Sequence, residues 1–325
     1  MALPSITSEQ WDDLHSSTWM RKGKELVDNI FDAIPVLNIM KKKGKFVDHS
    51  GGTQITIPLE YGENGTVGWI GRGSKVSIAD NQKYTTAKYD WKFIAGSVVR
   101  YFIDEKMNKS EPAIFNLVEK NVKNCQKTIK KNLNSAIMDD GSTDDNMMTG
   151  FKKYVESTPA TGTVGGIDAS TNTWWRNHAT TQSGLDHTVY LIDAMRTMYD
   201  DCSDDGGEED TPQIIVTTKG IKNWYEDEAL DTHYYTVSND MADLGIKGCA
   251  FKGAPILWTG SCDTGLMYFL NLDYFEIAYD PSTYFEMTEW KTAQDNLERA
   301  AQVVAQLNLV CSNRDKQGLL YSITT

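Results

Sequence analysis

The sequence predicts an α+β fold, with helices and strands interleaved but no regular βαβ repeat. Three observations carry this. Residues 111–138 place apolar side chains at the helical period. Residues 54–59 and 87–93 alternate apolar with polar side chains, the strand period. Between those strands, Gly62, Gly65, Gly68, Gly71 and Gly73 fall within twelve residues, which argues against a helix there.

Size and composition bound the rest. The chain has 325 residues, 40% hydrophobic and 24% charged, an ordinary globular balance. A chain of this length buries roughly 75% of the surface its unfolded form exposes, so neither disulfides nor metal are needed for a core. Length predicts about two domains. Lys and Arg total 32 against 45 Asp and Glu, a net charge of −13. That balance argues against a dedicated DNA-binding domain but leaves room for a local basic patch. The longest apolar run, 266–270, falls far short of the roughly 18 residues of a membrane span. Glu9, Asp12 and Asp13 stand where a signal peptide would be apolar, so none is expected. Cys125, Cys202, Cys249, Cys262 and Cys311 form no CxxC pair, which fits synthesis in a reducing compartment.

Taken in order, the first fifty residues read as an arm. Met20, Leu26, Val27, Ile30, Phe31 and Ile34 follow at mixed helical spacing up to Pro35, and predict a helix of modest length. Lys41, Lys42, Lys43 and Lys45 form a short basic run, either a solvated turn or a phosphate contact. Strand 54–59 contains Pro58, which places it at an edge or a bulge. The Gly-rich stretch after it is too polar to bury itself. The two strands therefore predict an extended hairpin whose long loop is functional or lies against another chain.

The helix at 111–138 is the strongest signal. Ile114, Val118, Val122, Cys125, Ile129, Leu133 and Ala136 recur at a mean step of about 3.7 residues, which keeps them on one face. Ser110 fits the N-cap and Pro112 the first turn. At about 1.5 Å per residue the helix is roughly 40 Å long. Lys120, Lys123, Lys127, Lys130 and Lys131 lie off the stripe, as a solvated face or one turned toward a polyanion.

Residues 139–146 faintly resemble a calcium loop but lack the terminal Glu, so an exposed polar loop is expected. Trp174 and Trp175, read as a strand, would face opposite sides and be covered on both, with Arg176 as a buried partner. Leu185, Val189, Ile192, Met195 and Tyr199 predict a helical stripe, and 200–210 an acidic loop. A buried strand at 213–218, a short helix around Ile221, Trp224 and Tyr225, and strands at 253–258, 265–271, 275–279, 303–310 and 318–323 complete the chain.

No catalytic constellation emerges. His15, His49, His178, His187 and His233 are far apart, and HExxH, GxSxG and Gly-rich nucleotide motifs are absent. Gly71, Arg72, Gly73, Ser74 and Lys75 lack the spacing of a phosphate loop. No cofactor, metal site or enzymatic activity is expected. An arm, a protruding hairpin and a long helix instead suggest packing against copies of the same chain.

The order and spacing of several patterns resemble the major capsid proteins of tailed bacteriophages with the Hong Kong 97-like fold, over nearly the whole chain. Residues 48–59 resemble the lead-in to that family's extended hairpin, the E-loop, and 87–92 its return strand. Helix 111–138 resembles the spine helix. Residues 164–168 with 174–177 resemble a peripheral-domain junction. Residues 251–256 and 265–271 resemble strands running from the axial domain back to the peripheral domain. The resemblance implies an arm at 1–50, an E-loop hairpin at 51–105, spine helix and peripheral domain at 106–184, an axial domain at about 185–270, and a return to peripheral strands at 271–325.

It also implies a function: a shell tile forming hexamers and pentamers of an icosahedral virion head around double-stranded DNA, assembled in a bacterial cytoplasm. Trp69, Arg72 and Lys75 of the E-loop are then expected between subunits. Lys41, Lys42, Lys43, Lys120, Lys123, Lys127 and Lys130 are expected to face packaged DNA without sequence preference. Trp174, Trp175 and Arg176 are expected in the structural core. Further partners are a separate scaffolding protein, a portal and decoration proteins; no membrane is involved. Some relatives join an E-loop Lys covalently to a peripheral Asn; Lys75 and Lys83 are available here, but no matching catalytic acid can be named, and no cross-link is expected. The competing readings are an encapsulin-like nanocompartment, a phage tail or adaptor ring, and, least favoured, a metal-dependent hydrolase using the acidic loops at 139–145 or 200–210.

Overall fold

A computed structural model describes residues 35–62, 64–75, 78, 82–101, 111–204, 210–231, 249–292 and 298–324. The helix expected from Met20 to Ile34 lies outside the described residues. In chain order the elements are α1 (Pro35–Lys42), β1 (Phe46–Asp48), β2 (Gln54–Glu60), β3 (Tyr84–Asp90), β4 (Lys92–Tyr101) and α2 (Glu111–Ala136). Then come α3 (Phe151–Tyr154), β5 (Thr163–Val164), β6 (Ile167–Asp168), β7 (His178–Thr181), α4 (His187–Asp201), β8 (Ile214–Thr217) and α5 (Lys219–Asp231). The chain closes with β9 (Ala250–Phe251), β10 (Ala254–Trp258), β11 (Met267–Leu270), β12 (Phe275–Tyr279), β13 (Glu286–Met287), β14 (Lys291–Thr292), β15 (Glu298–Cys311) and β16 (Gly318–Tyr321).

The first sheet is organised by β15. β4 pairs antiparallel along one edge of it, from Lys92 opposite Leu307 to Tyr101 opposite Glu298. β12, β13 and β14 follow one another along the other edge, and β1 joins parallel to β12. Early in β15, Ala301, Val303 and Ala305 are buried while Gln302 is exposed, the alternation of a strand with one covered face. From Leu307 to Cys311 every residue is buried, so both faces are covered there.

The long helix α2 seats on β4 at Gly96. A Cβ on Gly96 would lie 2.7 Å from Cys125 Sγ and 3.3 Å from Ile129 Cδ1, so glycine permits the approach. Ile129, Leu133 and Ala136 are buried and Cys125 half-buried, as the apolar stripe predicts. The side chains of Ile114, Val118 and Val122 lie outside the described residues.

The second sheet has the order β7-β16-β11-β8-β10-β9. It is covered on both faces, so its strands read as continuous apolar runs. Met267, Phe269, Ile215, Ile256 and Leu320 pack with Leu191, Met195 and Met198 of α4 and Ile221 and Tyr225 of α5. Tyr268, Leu270, Ile214, Val216, Leu257 and Leu319 point the other way into the main core.

Two expectations need correction. Trp174 and Trp175 do not lie on a strand; they end a 3-10 turn, Thr173–Trp175. Leu185 and Val189 are exposed, and α4 begins later, with Asp186 capping it by accepting from the Thr188 amide at 3.0 Å. Its buried stripe is Leu191, Ile192, Met195, Met198 and Tyr199. The chain ends in the second sheet. β16 pairs with β11 and β7 in the second, where a Cβ on Gly318 would meet Met198 and Cys202.

Candidate inter-subunit surface

β2 and β3 form a two-stranded ribbon, paired from Gln54 opposite Asp90 to Glu60 opposite Tyr84. Ile55, Leu59, Ala87 and Tyr89 are buried, the residues of one pleat face. The base is held by polar contacts to the main core. Tyr89 Oη donates to the Cys311 carbonyl at 2.7 Å, and Asn308 Nδ2 donates to the Asp90 carbonyl at 2.7 Å. The Gly165–Gly166 turn between β5 and β6 lies against β3, its Gly165 carbonyl accepting from the Lys88 amide at 2.9 Å. At the far end Tyr61 stacks on Trp174, with ring centroids 4.8 Å apart and planes 13° from parallel.

Beyond Tyr61 the character changes. Val67, Trp69, Ile70 and Ile78 are exposed, Trp69 and Ile78 almost completely. Arg72 and Lys75 are exposed beside them in sequence. A tip holding Trp, Val and two Ile in water leaves apolar area uncovered by its own chain. Such clusters mark interaction sites, and Trp is the residue most enriched at interface anchors. The three residues predicted here, Trp69, Arg72 and Lys75, are all exposed on the stretch that joins β2 to β3.

The predicted core trio divides. Trp175 is fully buried and donates from Nε1 to the Val164 carbonyl at 3.0 Å. Trp174 is half-buried under Tyr61. Arg176 is not the buried arginine: it donates to the carbonyls of Ala169 at 2.7 Å and Ser170 at 2.8 Å and remains partly exposed. The buried arginine is Arg314, which sequence reasoning missed. It donates to the Tyr154 carbonyl at 2.7 Å, the Trp175 carbonyl at 3.3 Å and Asn177 Oδ1 at 3.2 Å, with Glu156 Oε2 at 3.8 Å. Burial lowers its pKa, opposed chiefly by Glu156. Its surroundings in sequence, Ser312, Asn313, Asp315 and Lys316, read as a polar turn, so no local signal marked it.

On α2, Lys123, Lys127 and Lys131 are exposed and Lys130 half-exposed, on the side opposite Cys125 and Ile129 at 100° per residue. The Lys120 side chain lies outside the described residues. Lys41, Lys42 and Lys43 lie at and just after the end of α1. Lys43 donates to the Gln213 side chain, and Lys45 pairs with Asp273 at 2.9 Å.

The acidic loop after α2 is occupied with itself. Asp139, Asp140 and Asp144 accept from the amides of Gly141, Ser142 and Asn146 at 3.1, 2.8 and 2.9 Å. Among the described residues no group of three or more His, Cys, Asp and Glu side chains could hold a metal. All five cysteines are unpaired. Burial pushes the Cys262 and Cys311 thiols up to about 12 and Cys249 to about 11, away from the nucleophilic thiolate. Beside this loop a groove of 360 Å³ opens between α2 and β4, lined by Phe93, Ile94, Leu133, Ala136 and Met147, with Asp144 also on its wall.

No family model matches the chain, and no curated protein matches its sequence. Solved structures do match its fold. The cyanophage A-1(L) capsid subunit superposes with a TM-score of 0.61 at 17% identity, covering 87% of this chain and 91% of its own. The capsid of Myoviridae phage XM1 gives 0.56 at 10% identity, over 87% and 92%. The SrpI encapsulin of Synechococcus elongatus gives 0.53 at 11% identity, over 86% and 84%. No helix among the described residues is long and apolar enough to cross a membrane. The chain therefore has the Hong Kong 97-like fold that its sequence resembles, the fold of these phage capsid proteins.

Proposed function

We propose that this chain is the major capsid protein of a tailed phage, forming hexamers and pentamers that close into an icosahedral shell around double-stranded DNA. The observation that carries the reading is the exposed tip of Val67, Trp69, Ile70 and Ile78 on a chain of this fold. Among the described residues nothing covers that tip; a neighbouring copy would, and a contact between two different patches of identical subunits closes into rings when the rotation allows. A single millimolar contact is worth only about −4 kcal/mol, but each subunit meets several neighbours, and their sum holds a shell.

On this reading the tip seats in the groove between α2 and β4 of another subunit. Trp69 would enter the groove lined by Phe93, Leu133 and Met147 of a neighbouring copy, while Arg72 and Lys75 would meet the acidic loop containing Asp144 and Asp145. The lysine face of α2, with Lys41, Lys42 and Lys43, would touch DNA phosphates without reading sequence. The acidic remainder keeps that contact weak. A separate scaffolding protein, a portal and decoration proteins would complete the virion.

Negative-stain microscopy of assembled material tests the reading: closed icosahedral shells with nuclease-protected double-stranded DNA support it, while rings, tubes or a persistent monomer overturn it. Correct shells from the protein expressed alone would remove the need for a scaffold. The encapsulin match supports one second reading, a nanocompartment enclosing protein. Shells whose content resists nuclease but is protein decide for that reading.

A further inference from the structure

The connection between β2 and β3 carries a chemical feature that an assembly contact does not use. Asn64 is followed by Gly65, the single Asn–Gly step in the sequence. Both residues are exposed. They open a turn in which the Val67 amide donates to the Asn64 carbonyl at 3.1 Å. The Asn64 side-chain oxygen accepts twice from Thr66, from the hydroxyl at 2.8 Å and from the amide at 3.3 Å. Two donors on one carbonyl oxygen draw electron density from Cγ and make that carbon more electrophilic. The atom that can attack it, the Gly65 amide nitrogen, donates to no described residue. Gly65 has no Cβ, so nothing on it crowds the approach or restricts its backbone angles.

We infer that Asn64 is a self-modification site. Gly65 N attacks Asn64 Cγ and closes a five-membered succinimide. The Cγ–Nδ2 bond breaks, and ammonia leaves with the proton that the Gly65 amide gives up. Water then opens the ring. Attack at Cγ leaves aspartate; attack at the backbone carbonyl leaves isoaspartate, with the chain routed through the side chain and one methylene longer. One water is consumed and one ammonia released, with nothing oxidised or reduced. Either product adds a negative charge three residues before Val67 and five before Trp69, on the same stretch as Arg72 and Lys75. The isoaspartate product also re-aims the exposed apolar side chains, because the turn gains a backbone atom.

Two other exposed asparagines serve as internal controls. Asn132 and Asn223 lie within α2 and α5, where helical hydrogen bonding holds the following amide, and their successors are Leu133 and Trp224. The full chain is incubated for days at mildly alkaline pH, digested with trypsin, and the peptide 46–72 is followed by mass spectrometry. The expected result is a gain of about one dalton on that peptide, in two chromatographic forms. One form is a substrate for isoaspartate methyltransferase. Fragment ions that place the mass on single residues show Asn132 and Asn223 unchanged. Gly65→Ala, at an exposed turn remote from the core, slows the reaction roughly tenfold or more. An Asn64 amide that persists as long as that of Asn132, or a Gly65→Ala chain that reacts at the parental rate, overturns the inference. The chemistry does not depend on the shell reading.

Discussion

Arg314 donates from Nε to the backbone carbonyl of Tyr154 at 2.7 Å, and neither side chain has any exposed surface. The same guanidinium reaches Trp175 and Asn177, and the Tyr154 hydroxyl donates to the Leu309 carbonyl. One side chain therefore satisfies acceptors from α3, from the 3-10 turn and from the segment leading to β7. Arg314→Met removes the guanidinium donors from the buried carbonyls of Tyr154 and Trp175 and leaves Asn177 Oδ1 with the Glu156 amide alone. A loss of about 3 kcal/mol or more is expected in urea denaturation of the dissociated subunit. Arg314→Lys should recover little, because an ammonium cannot reproduce the planar fork. A loss below about 1 kcal/mol for the Met variant would remove this node from the account of stability.

Gly96 and Cys125 test the seat of α2. Gly96→Ala forces a Cβ to 2.7 Å from Cys125 Sγ, a separation that requires helix or sheet to shift. The expected cost is about 1–3 kcal/mol. Cys125→Ala in the same chain should return part of it, because the atom in the way is gone, and the two changes should be non-additive. Additive losses in a thermal-melt double-mutant cycle would mean that the helix is held elsewhere.

Trp69 separates assembly from folding. Trp69→Ala should leave subunit stability within about 0.5 kcal/mol, because the indole buries nothing in its own chain. The yield of closed shells should fall sharply. For the seat itself, Trp69→Cys combined with Ser135→Cys on the groove should form an intermolecular disulfide in assembled particles. Shells that assemble without that cross-link would place the tip elsewhere and leave the shell reading standing.

His178 gives the fold a pH dependence. The Asp315 carboxylate, whose Oδ1 lies 3.4 Å from Nε2, raises the His178 pKa above its ordinary 6.5, against the burial that lowers it. The folded state thus binds this proton more tightly than the unfolded chain does. The stabilisation is complete below pH 6.5 and is lost as pH rises through the raised value. Asp315→Asn should flatten this part of the stability-against-pH curve. A profile unchanged by that variant would assign the dependence to other groups.

The lysine face of α2 makes a prediction about salt. Lys123→Gln, Lys127→Gln and Lys130→Gln should each lower the slope of log affinity against log salt for double-stranded DNA by about 0.9 if that lysine holds one phosphate. The loss should be the same for any DNA sequence. An unchanged slope in the triple variant would turn this face away from the genome.

Periodicity made α2, the β2–β3 hairpin and the apolar strands legible, because each of these elements repeats one pattern over several residues. The Gly-rich tip was legible by default, since too little in it can be buried. The pair at Trp174 and Trp175 was misplaced because two adjacent residues carry no period, and turn and strand look alike over such a span. The start of α4 was read too early because apolar Leu185 and Val189 continue the stripe numerically, while Asp186 caps the helix after the first of them.

The sequence by itself determined the long helix α2, the β2–β3 ribbon and several apolar strands, that the stretch joining β2 to β3 is too polar to bury itself, and which fold the chain resembles. Those properties rest on local period and composition, which act over a few neighbouring residues. Only the tertiary structure decided that Arg314 rather than Arg176 is the buried arginine, that β16 returns to the second sheet, and that Gly96 is the contact point for α2. Each of those depends on contacts between residues far apart in the chain. Arg314 and Tyr154 are separated by 160 positions, and no local pattern encodes which distant acceptors a buried donor will find.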